Sequence, residues 1–138
     1  MSRQGRFLFA GGCLAALLAV MLGAFGAHVL KARLEPALLA TYHTAVDYHF
    51  YHSLGLIAAG LASAHCLRPA LLRLAGWLMA AGLLLFSGSL YLLAFTGIRA
   101  LGTVTPIGGL AWIAAWLLLT MALLPLRDET KPVPPSRS

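Results

Sequence analysis

The amino-acid sequence predicts an all-α fold, an integral membrane bundle of four transmembrane helices. Hydrophobic residues make up 60% of the chain and charged residues 10%, whereas soluble proteins carry roughly 45–50% and about 25%. The apolar residues are gathered in four long runs, with breakers and most charges between them. Each run is close to the ~20 residues that an α-helix needs to cross hydrocarbon about 30 Å thick. A helix also satisfies its own backbone polar groups inside a membrane.

The first run is predicted to be a retained membrane span and not a signal peptide. Residues 7–27 form 21 consecutive uncharged residues, preceded by Arg3 and Arg6. The apolar core of a signal peptide has only about 7 to 15 residues, whereas a spanning helix needs about 20. We therefore expect a transmembrane helix over residues 7–27.

The segment between the first two runs, residues 28–47, carries an amphipathic pattern. Apolar residues recur there at steps of three and four, at Leu30, Leu34, Leu38, Tyr42 and Ala45. This pattern is typical of a helix lying in the membrane interface, so we expect a short interfacial helix between spans 1 and 2. Because proline is accommodated only in the first turn of a helix, Pro36 places its start near Glu35, from where it runs straight into the second span.

Three further spans are predicted at about residues 48–64, 74–95 and 107–124. Pro106 precedes the last of them, in a first-turn position where its missing N–H would have no intrahelical partner. The four spans form one transmembrane domain, residues 1–126. Residues 127–138 are rich in proline, serine and charges, a composition that predicts a disordered, solvated cytoplasmic tail.

Lysine and arginine residues are divided unequally between the two sides of the predicted bundle. The N-terminal stub, the second connection and the tail hold 2, 2 and 3 of them, whereas the first and third connections hold 2 and 1. Because cytoplasmic loops carry the excess, both termini should be cytoplasmic and the chain a multi-pass protein of the bacterial inner membrane. The lipid bilayer is its expected partner. Nucleic acid is not, because the basic residues are scattered singly.

Polar side chains gather on one side of this predicted bundle. The stretch AVDYHFYHSLGL, residues 45–56, interrupts an apolar chain with an aspartate, aromatic rings and two histidines. Alternation of the spans brings it level with the end of span 1, the late part of span 3 and the start of span 4. Polar groups in such positions usually face the bundle interior. The predicted polar layer, near the outer face, consists of His28, His43, Asp47, Tyr48, His52, Ser87, Ser89, Tyr91 and Thr105.

Two interpretations of this polar layer are open. In the first, its side chains hold the helices together. His52 lies about 7 Å below Asp47 at a rise of 1.5 Å per residue, and Ser87 or Tyr91 of span 3 would be its hydrogen-bond partner.

In the second interpretation, the chain is a metal- or haem-handling protein or an enzyme that uses His28, His43, Asp47 and His52. The first three of these would be the metal ligands. The structural interpretation is favoured, because zinc sites use three or four convergent ligands and the sequence places only His43 and Asp47 on one helix face. The sequence also lacks the nucleophile elbow, P-loop, dinucleotide fingerprint and HExxH motifs. We therefore expect no catalytic residues and no cofactor.

Small residues indicate where helices approach closely. Span 1 carries an unbroken row at every fourth position, namely Gly11, Ala15, Ala19, Gly23 and Ala27. Such rows let two membrane helices come into close contact. Three glycines of spans 3 and 4 are assigned the same packing role, namely Gly88, Gly108 and Gly109.

Four motifs, GAFGAH, YHFYHSL, FSGSLYLLAFTG and TPIGG, stand in this order and spacing between residues 6 and 124. Together they resemble the DUF423 family of small bacterial inner-membrane proteins, whose eukaryotic relatives include transmembrane protein 256. The resemblance implies four transmembrane helices and an inner-membrane location, and it implies no established activity. Where relatives have a glycine-tryptophan pair in span 4, this chain has AAW, residues 114–116.

The leading interpretation is a non-enzymatic membrane module: a small transporter-like or lipid-interacting protein, or an accessory subunit. The gathering of polar groups in one layer without a catalytic constellation favours this class. Four helices are few for a transport path, so a homo-oligomer or a larger membrane partner is expected.

Overall fold

The computed structural model describes residues 1–125, and every regular element in that range is helical. The all-α prediction is therefore confirmed for this part of the chain. The elements are α1 (Arg3–His28), α2 (Pro36–Ala62), α3 (Pro69–Gly82), a π-helical segment (Leu83–Gly88), α4 (Ser89–Thr96) and α5 (Thr105–Leu123). Short 3₁₀ turns, Leu30–Ala32 and Arg99–Thr103, lie in the first and last connections. The predicted tail, residues 127–138, lies outside the described residues.

Local sequence signals set most helix ends. The Ser2 hydroxyl accepts a hydrogen bond from the Gly5 backbone N–H at 3.0 Å and so caps α1. Helices α2, α3 and α5 each have a proline in the first turn, where its missing N–H leaves no intrahelical bond unmade. Helix α4 ends at Gly97, whose φ of 71° is left-handed and is reached without strain by glycine alone.

Three helical stretches are long and apolar enough to cross a membrane: Arg3–Ala32, Pro69–Thr96 and Arg99–Leu123. They contain the predicted spans 1, 3 and 4. Helix α2 is as long, with 27 residues, but is not among them; the polar cluster of residues 43–53 lies inside it. The helix that holds predicted span 2 thus does not stand out by composition.

The expected interfacial helix is not a separate element. The first connection holds a single 3₁₀ turn, and the helix that follows begins at Pro36 and continues without a break to Ala62. Its start near Glu35 and its continuation into the second segment agree with the expectation from Pro36. The short interfacial helix expected between spans 1 and 2 is thus the first part of α2 and not a short element of its own.

Helices α1 and α2 lie antiparallel in contact along their full length. Gly5 of α1 lies against Gly60 of α2 at one end, and Gly26 lies against Tyr42 at the other. Helix α3 packs on α5, and the π-helical segment contacts α2 and α5. The second connection is tied to the end of α5, because the Leu67 backbone N–H donates to the Ala122 carbonyl at 3.1 Å. The start of α1, the end of α2, the start of α3 and the end of α5 therefore lie at one end of the molecule.

Candidate functional site

The polar cluster of the sequence folds around an aromatic stack in the middle of α2. The imidazole of His52 is 8% exposed and lies flat on the indole of Trp112, with ring centroids 3.5 Å apart and planes 5° apart. The Tyr48 ring is nearly parallel to the same indole at 5.9 Å, and the Phe86 ring lies 4.7 Å from it. We call Tyr48, His52, Phe86 and Trp112 the His52 stack; it joins α2, the π-helical segment and α5.

His52 and Trp112 each bond to a backbone carbonyl. Nδ1 of His52 lies 2.8 Å from the Tyr48 carbonyl oxygen; because a carbonyl can only accept, Nδ1 carries the proton and the neutral ring keeps its lone pair on Nε2. The indole N–H of Trp112 donates to the Met79 carbonyl at 3.1 Å. A buried polar group is tolerated when it is hydrogen-bonded, so these two bonds allow His52 and Trp112 to be buried.

Two glycines make room for the stack. A Cβ at Gly82, the residue before the π-helical segment, would overlap the Trp112 indole. A Cβ at Gly108 of α5 would lie 2.5 Å from the Phe86 backbone nitrogen. The close approach of α5 to the π-helical segment therefore depends on glycine at both positions, which supports the predicted packing role of Gly108. Gly88 and Gly109 have looser surroundings, with nearest atoms 3.8 Å from a Cβ.

A second polar group joins α1, α2 and α4. His49 Nδ1 lies 3.2 Å from the Tyr91 hydroxyl. The fully buried Tyr42 packs against Tyr91, with ring centroids 5.3 Å apart, and its hydroxyl donates to the Leu22 carbonyl of α1 at 2.7 Å. Two hydrogen bonds and one ring contact thus connect α1, α2 and α4.

The hydroxyl residues of the predicted layer have different roles. Ser89 donates to the Phe86 carbonyl at 2.9 Å, so in its 3.0 Å contact with Thr105 the threonine is the donor. This bond ties α4 to the start of α5. Ser87 is buried, and its hydroxyl has no partner among residues 1–125.

The partner predicted for His52 is wrong. Neither Ser87 nor Tyr91 bonds to it: Tyr91 pairs with His49, and the His52 ring bonds within its own helix. The reason is geometric, because the imidazole turns its face to Trp112 and its Nδ1 back to the preceding turn.

The residues of the alternative metal site do not come together. His28, His43 and Asp47 are all exposed, and within residues 1–125 no three His, Cys, Asp or Glu side chains are placed to hold a metal ion. His43 and Asp47 do share one helix face, as predicted, but both side chains are exposed.

The row of small residues predicted on α1 does not, as a whole, form a contact with another helix. Gly11 and Ala27 are exposed, and a Cβ at Gly11 would meet nothing within 4 Å. Gly23 and Ala15 are partly buried, and only Ala19 lies fully in the contact. The buried row instead steps by seven, through Gly5, Gly12, Ala19 and Gly26. A period near 3.5 residues keeps one face of a helix on its neighbour when two helices cross at a small angle, which explains why a four-residue row drifts out of the contact.

Sequence reasoning missed several members of the site. The sequence does not distinguish Trp112 from Trp116, one turn apart, yet Trp112 is 3% exposed and Trp116 is 42% exposed. Tyr42, which the sequence places in the amphipathic pattern of an interfacial helix, is fully buried. The usable signal was the glycine set, because Gly82 and Gly108 face the two rings that need space.

Replacing His52 by leucine is expected to cost less than about 1.5 kcal/mol of unfolding free energy. Stacking of aromatic rings contributes about 0.5–1.5 kcal/mol, and the Tyr48 carbonyl still accepts the helical N–H of residue 52. His52→Ala should cost more, because it leaves a cavity over Trp112. Denaturant titration in detergent measures both; a loss above about 3 kcal/mol for leucine would show that the imidazole's polarity is essential to the fold.

The chain is similar to a set of uncharacterised membrane proteins. A family model described as a protein of unknown function (DUF423) matches residues 22–109. The UPF0382 membrane protein YwdK of Bacillus subtilis is 47% identical over 111 residues, which cover 80% of this chain and 90% of that protein. The UPF0382 membrane protein SH2409 of Staphylococcus haemolyticus is 46% identical, with coverage of 80% and 89%. No solved structure matches the chain.

Proposed function

This chain belongs to the DUF423 family, and on that premise we propose that it is a non-enzymatic, lipid-interacting module of the bacterial inner membrane. The observation that carries the proposal is the division between its surface and its interior. Large apolar side chains project outward from the helices, including Phe7, Trp77, Leu84 and Ile113. Most buried polar side chains are paired within the helix packing, as in the His52 stack. In such a molecule, the surface that is available for interactions is apolar and suited to lipid.

The proposed architecture is a four-helix transmembrane bundle that includes α2. This helix contacts α1 from Gly60 at one end to Tyr42 at the other, so it must lie at the same depth as an α1 that crosses the membrane. Its polar groups are compatible with that depth, because intramembrane polar side chains are tolerated when they face other helices and are bonded. His52, Ser53 and Tyr42 all have hydrogen-bond partners.

The proposed orientation has both termini in the cytoplasm. Arg3, Arg68 and Arg73 lie at the end of the molecule where α1 starts and α5 ends, and an excess of arginine and lysine marks the cytoplasmic side. The opposite end holds the layer with His28, Asp47 and the Ser89–Thr105 bond, which we place near the outer face. The residues of the layer serve mainly to join the helices in this proposal.

Association with a second copy or with a larger membrane protein is part of the proposal. The exposed side chains of α1 include Leu14, Leu17 and Met21, which leave one side of the helix to lipid or to a partner. An accessory-subunit role and a transporter-like role would both require such a partner, since the described helices pack with each other around bonded polar groups.

The experiment combines fractionation, topology reporters and crosslinking of the full chain. We expect the protein to stay in membranes after a carbonate wash. Alkaline phosphatase fusions after residues 33 and 100 should be active, and those after residues 68 and 138 inactive. Crosslinking in native membranes should give species larger than the monomer. Extraction by carbonate would refute the membrane module, an inverted fusion pattern would refute the orientation, and a pure monomer would refute the partner.

A further inference from the structure

An open groove of about 680 Å³ lies between α1 and α3 at the arginine-rich end of the molecule. It forms because α1 packs on α2 while α3 packs on α5. Leu8 reaches across to Gly76, where a Cβ would lie 2.5 Å from the leucine Cδ2. The volume falls within the roughly 300–1,000 Å³ of typical ligand sites, and the groove is partly open to the outside.

The rim of the groove has the same pattern on both sides. Arg3 is followed by Phe7 one turn later on α1, and Arg73 is followed by Trp77 one turn later on α3; all four line the groove. The Arg3 guanidinium lies 5.7 Å from the Phe7 ring centroid. Phe7 is 67% exposed and Trp77 is 71% exposed. Two arginines and two exposed aromatic side chains thus line one largely apolar groove.

The depth of the groove matches one leaflet of a bilayer. From Arg3 to Gly11, which also lines the groove, α1 rises about 12 Å at 1.5 Å per residue. Half of a hydrocarbon core about 30 Å thick is about 15 Å. A phosphate held by the arginines would therefore lie at the interface, with its acyl chain along the apolar floor. Arginine is well suited to this role, because its planar fork pairs with phosphate through two hydrogen bonds.

We propose that this groove binds an anionic phospholipid of the leaflet that faces the start of α1. Arg3 and Arg73 hold the phosphate, and an acyl chain lies against Phe7, Trp77 and the open face of Gly11. The proposal rests on the membrane function proposed above and names the lipid class that the module takes.

Charge complementarity favours a lipid over the other possible occupants. The acidic residues among 1–125 are Glu35 and Asp47, both near the opposite end, so a parallel second copy brings no carboxylate from this range to the arginines. The segment 126–138 contains two acidic and three basic residues, and its net positive charge does not complement two arginines.

Native mass spectrometry of the full chain in detergent tests the proposal with three probes: palmitoyl-oleoyl phosphatidylglycerol, the matching phosphatidylcholine and dioleoylglycerol. Phosphatidylglycerol should bind most tightly. An arginine near anionic lipid contributes a factor of about five, so Arg3→Gln with Arg73→Gln should weaken phosphatidylglycerol binding about 25-fold. The matched control, Arg6→Gln with Arg99→Gln, removes the same charge outside the groove and should leave binding within twofold.

A second pair of variants tests the acyl-chain site. Gly11→Phe places a ring in the groove at a position where a Cβ meets nothing within 4 Å, and it should reduce binding of phosphatidylglycerol and dioleoylglycerol alike. Its control, Ala10→Phe, places the same ring on the exposed neighbouring position and should not. Thermal unfolding confirms that both variants are folded.

Several results would overturn the lipid site while leaving the membrane function intact. One is an equal loss of phosphatidylglycerol binding in the arginine double variant and in its control. Another is unchanged lipid binding in Gly11→Phe. Binding of phosphatidylglycerol that appears only after removal of residues 127–138 would assign the groove to the tail. Loss of a crosslinked dimer in Gly11→Phe, with lipid binding unchanged, would assign it to a second copy. If the proposed membrane function were itself wrong, the carbonate wash would extract the protein.

Discussion

Replacing Trp112 by alanine is expected to lower the free energy of unfolding by about 3–5 kcal/mol, the range for truncation of a buried tryptophan. The indole is 3% exposed and contacts the imidazole of His52 on one face and the ring of Phe86 beside it. Its removal leaves a cavity where α2, the π-helical segment and α5 meet. The surrounding helices cannot easily close that cavity, because Gly82 contributes no side chain to fill it.

Trp116 is the matched control for Trp112. It lies one turn further along α5 and is 42% exposed, so Trp116→Ala should cost about 1 kcal/mol or less, close to the effect of surface substitutions. Trp112→Phe should fall between the two, because it keeps a ring against His52 and loses the bond to the Met79 carbonyl. Denaturant titration in detergent gives all three values. Equal losses at Trp112 and Trp116 would show that the His52 stack does not contribute to stability.

Periodicity and composition predicted the helical class and the three apolar stretches well. Runs of about 20 apolar residues leave few other structures, and Pro36 and Pro106 indicated two of the helix starts. The amphipathic pattern before residue 48 predicted a helix, and Pro36 gave its start and its continuation into the second segment; only its description as a short element was wrong. Helix α2, which holds most of predicted span 2, is not among those stretches; it carries the polar residues 43–53, of which His52 and Ser53 bond back to carbonyls of their own helix.

The site was predicted less completely, because its geometry depends on side-chain directions in three dimensions. The sequence placed His52 in a polar layer, and the structure buries it. Its partner, however, is the ring face of Trp112, and a stacking contact between residues 60 positions apart leaves no local pattern. The pairing of His49 with Tyr91 was missed for the same reason. The π-helical segment also shifts the faces of α4 relative to a regular helix, since each π turn adds one residue.

The second large expected effect is a loss of stability when a glycine of the buried row on α1 is replaced. Gly12→Ala should destabilise the protein by about 1–3 kcal/mol, the usual cost of overpacking. A Cβ at Gly12 would lie 2.7 Å from the Ile57 backbone nitrogen and 2.8 Å from the Ser53 carbonyl oxygen. Backbone atoms cannot turn away as a side chain does, so α1 and α2 must separate. Gly60→Ala should act in the same way, because its Cβ would lie 2.6 Å from the Phe9 backbone nitrogen.

The neighbouring residue provides the control that separates this packing effect from helix propensity. Gly11→Ala meets nothing within 4 Å, and alanine in a helix interior is favoured over glycine by roughly 0.5–1 kcal/mol. We therefore expect Gly11→Ala to be neutral or stabilising while Gly12→Ala destabilises, in the same denaturant titration. Similar effects at the two positions would contradict the seven-residue contact row. Destabilisation at Gly11 alone would restore the four-residue row predicted from the sequence, because only that row passes through Gly11.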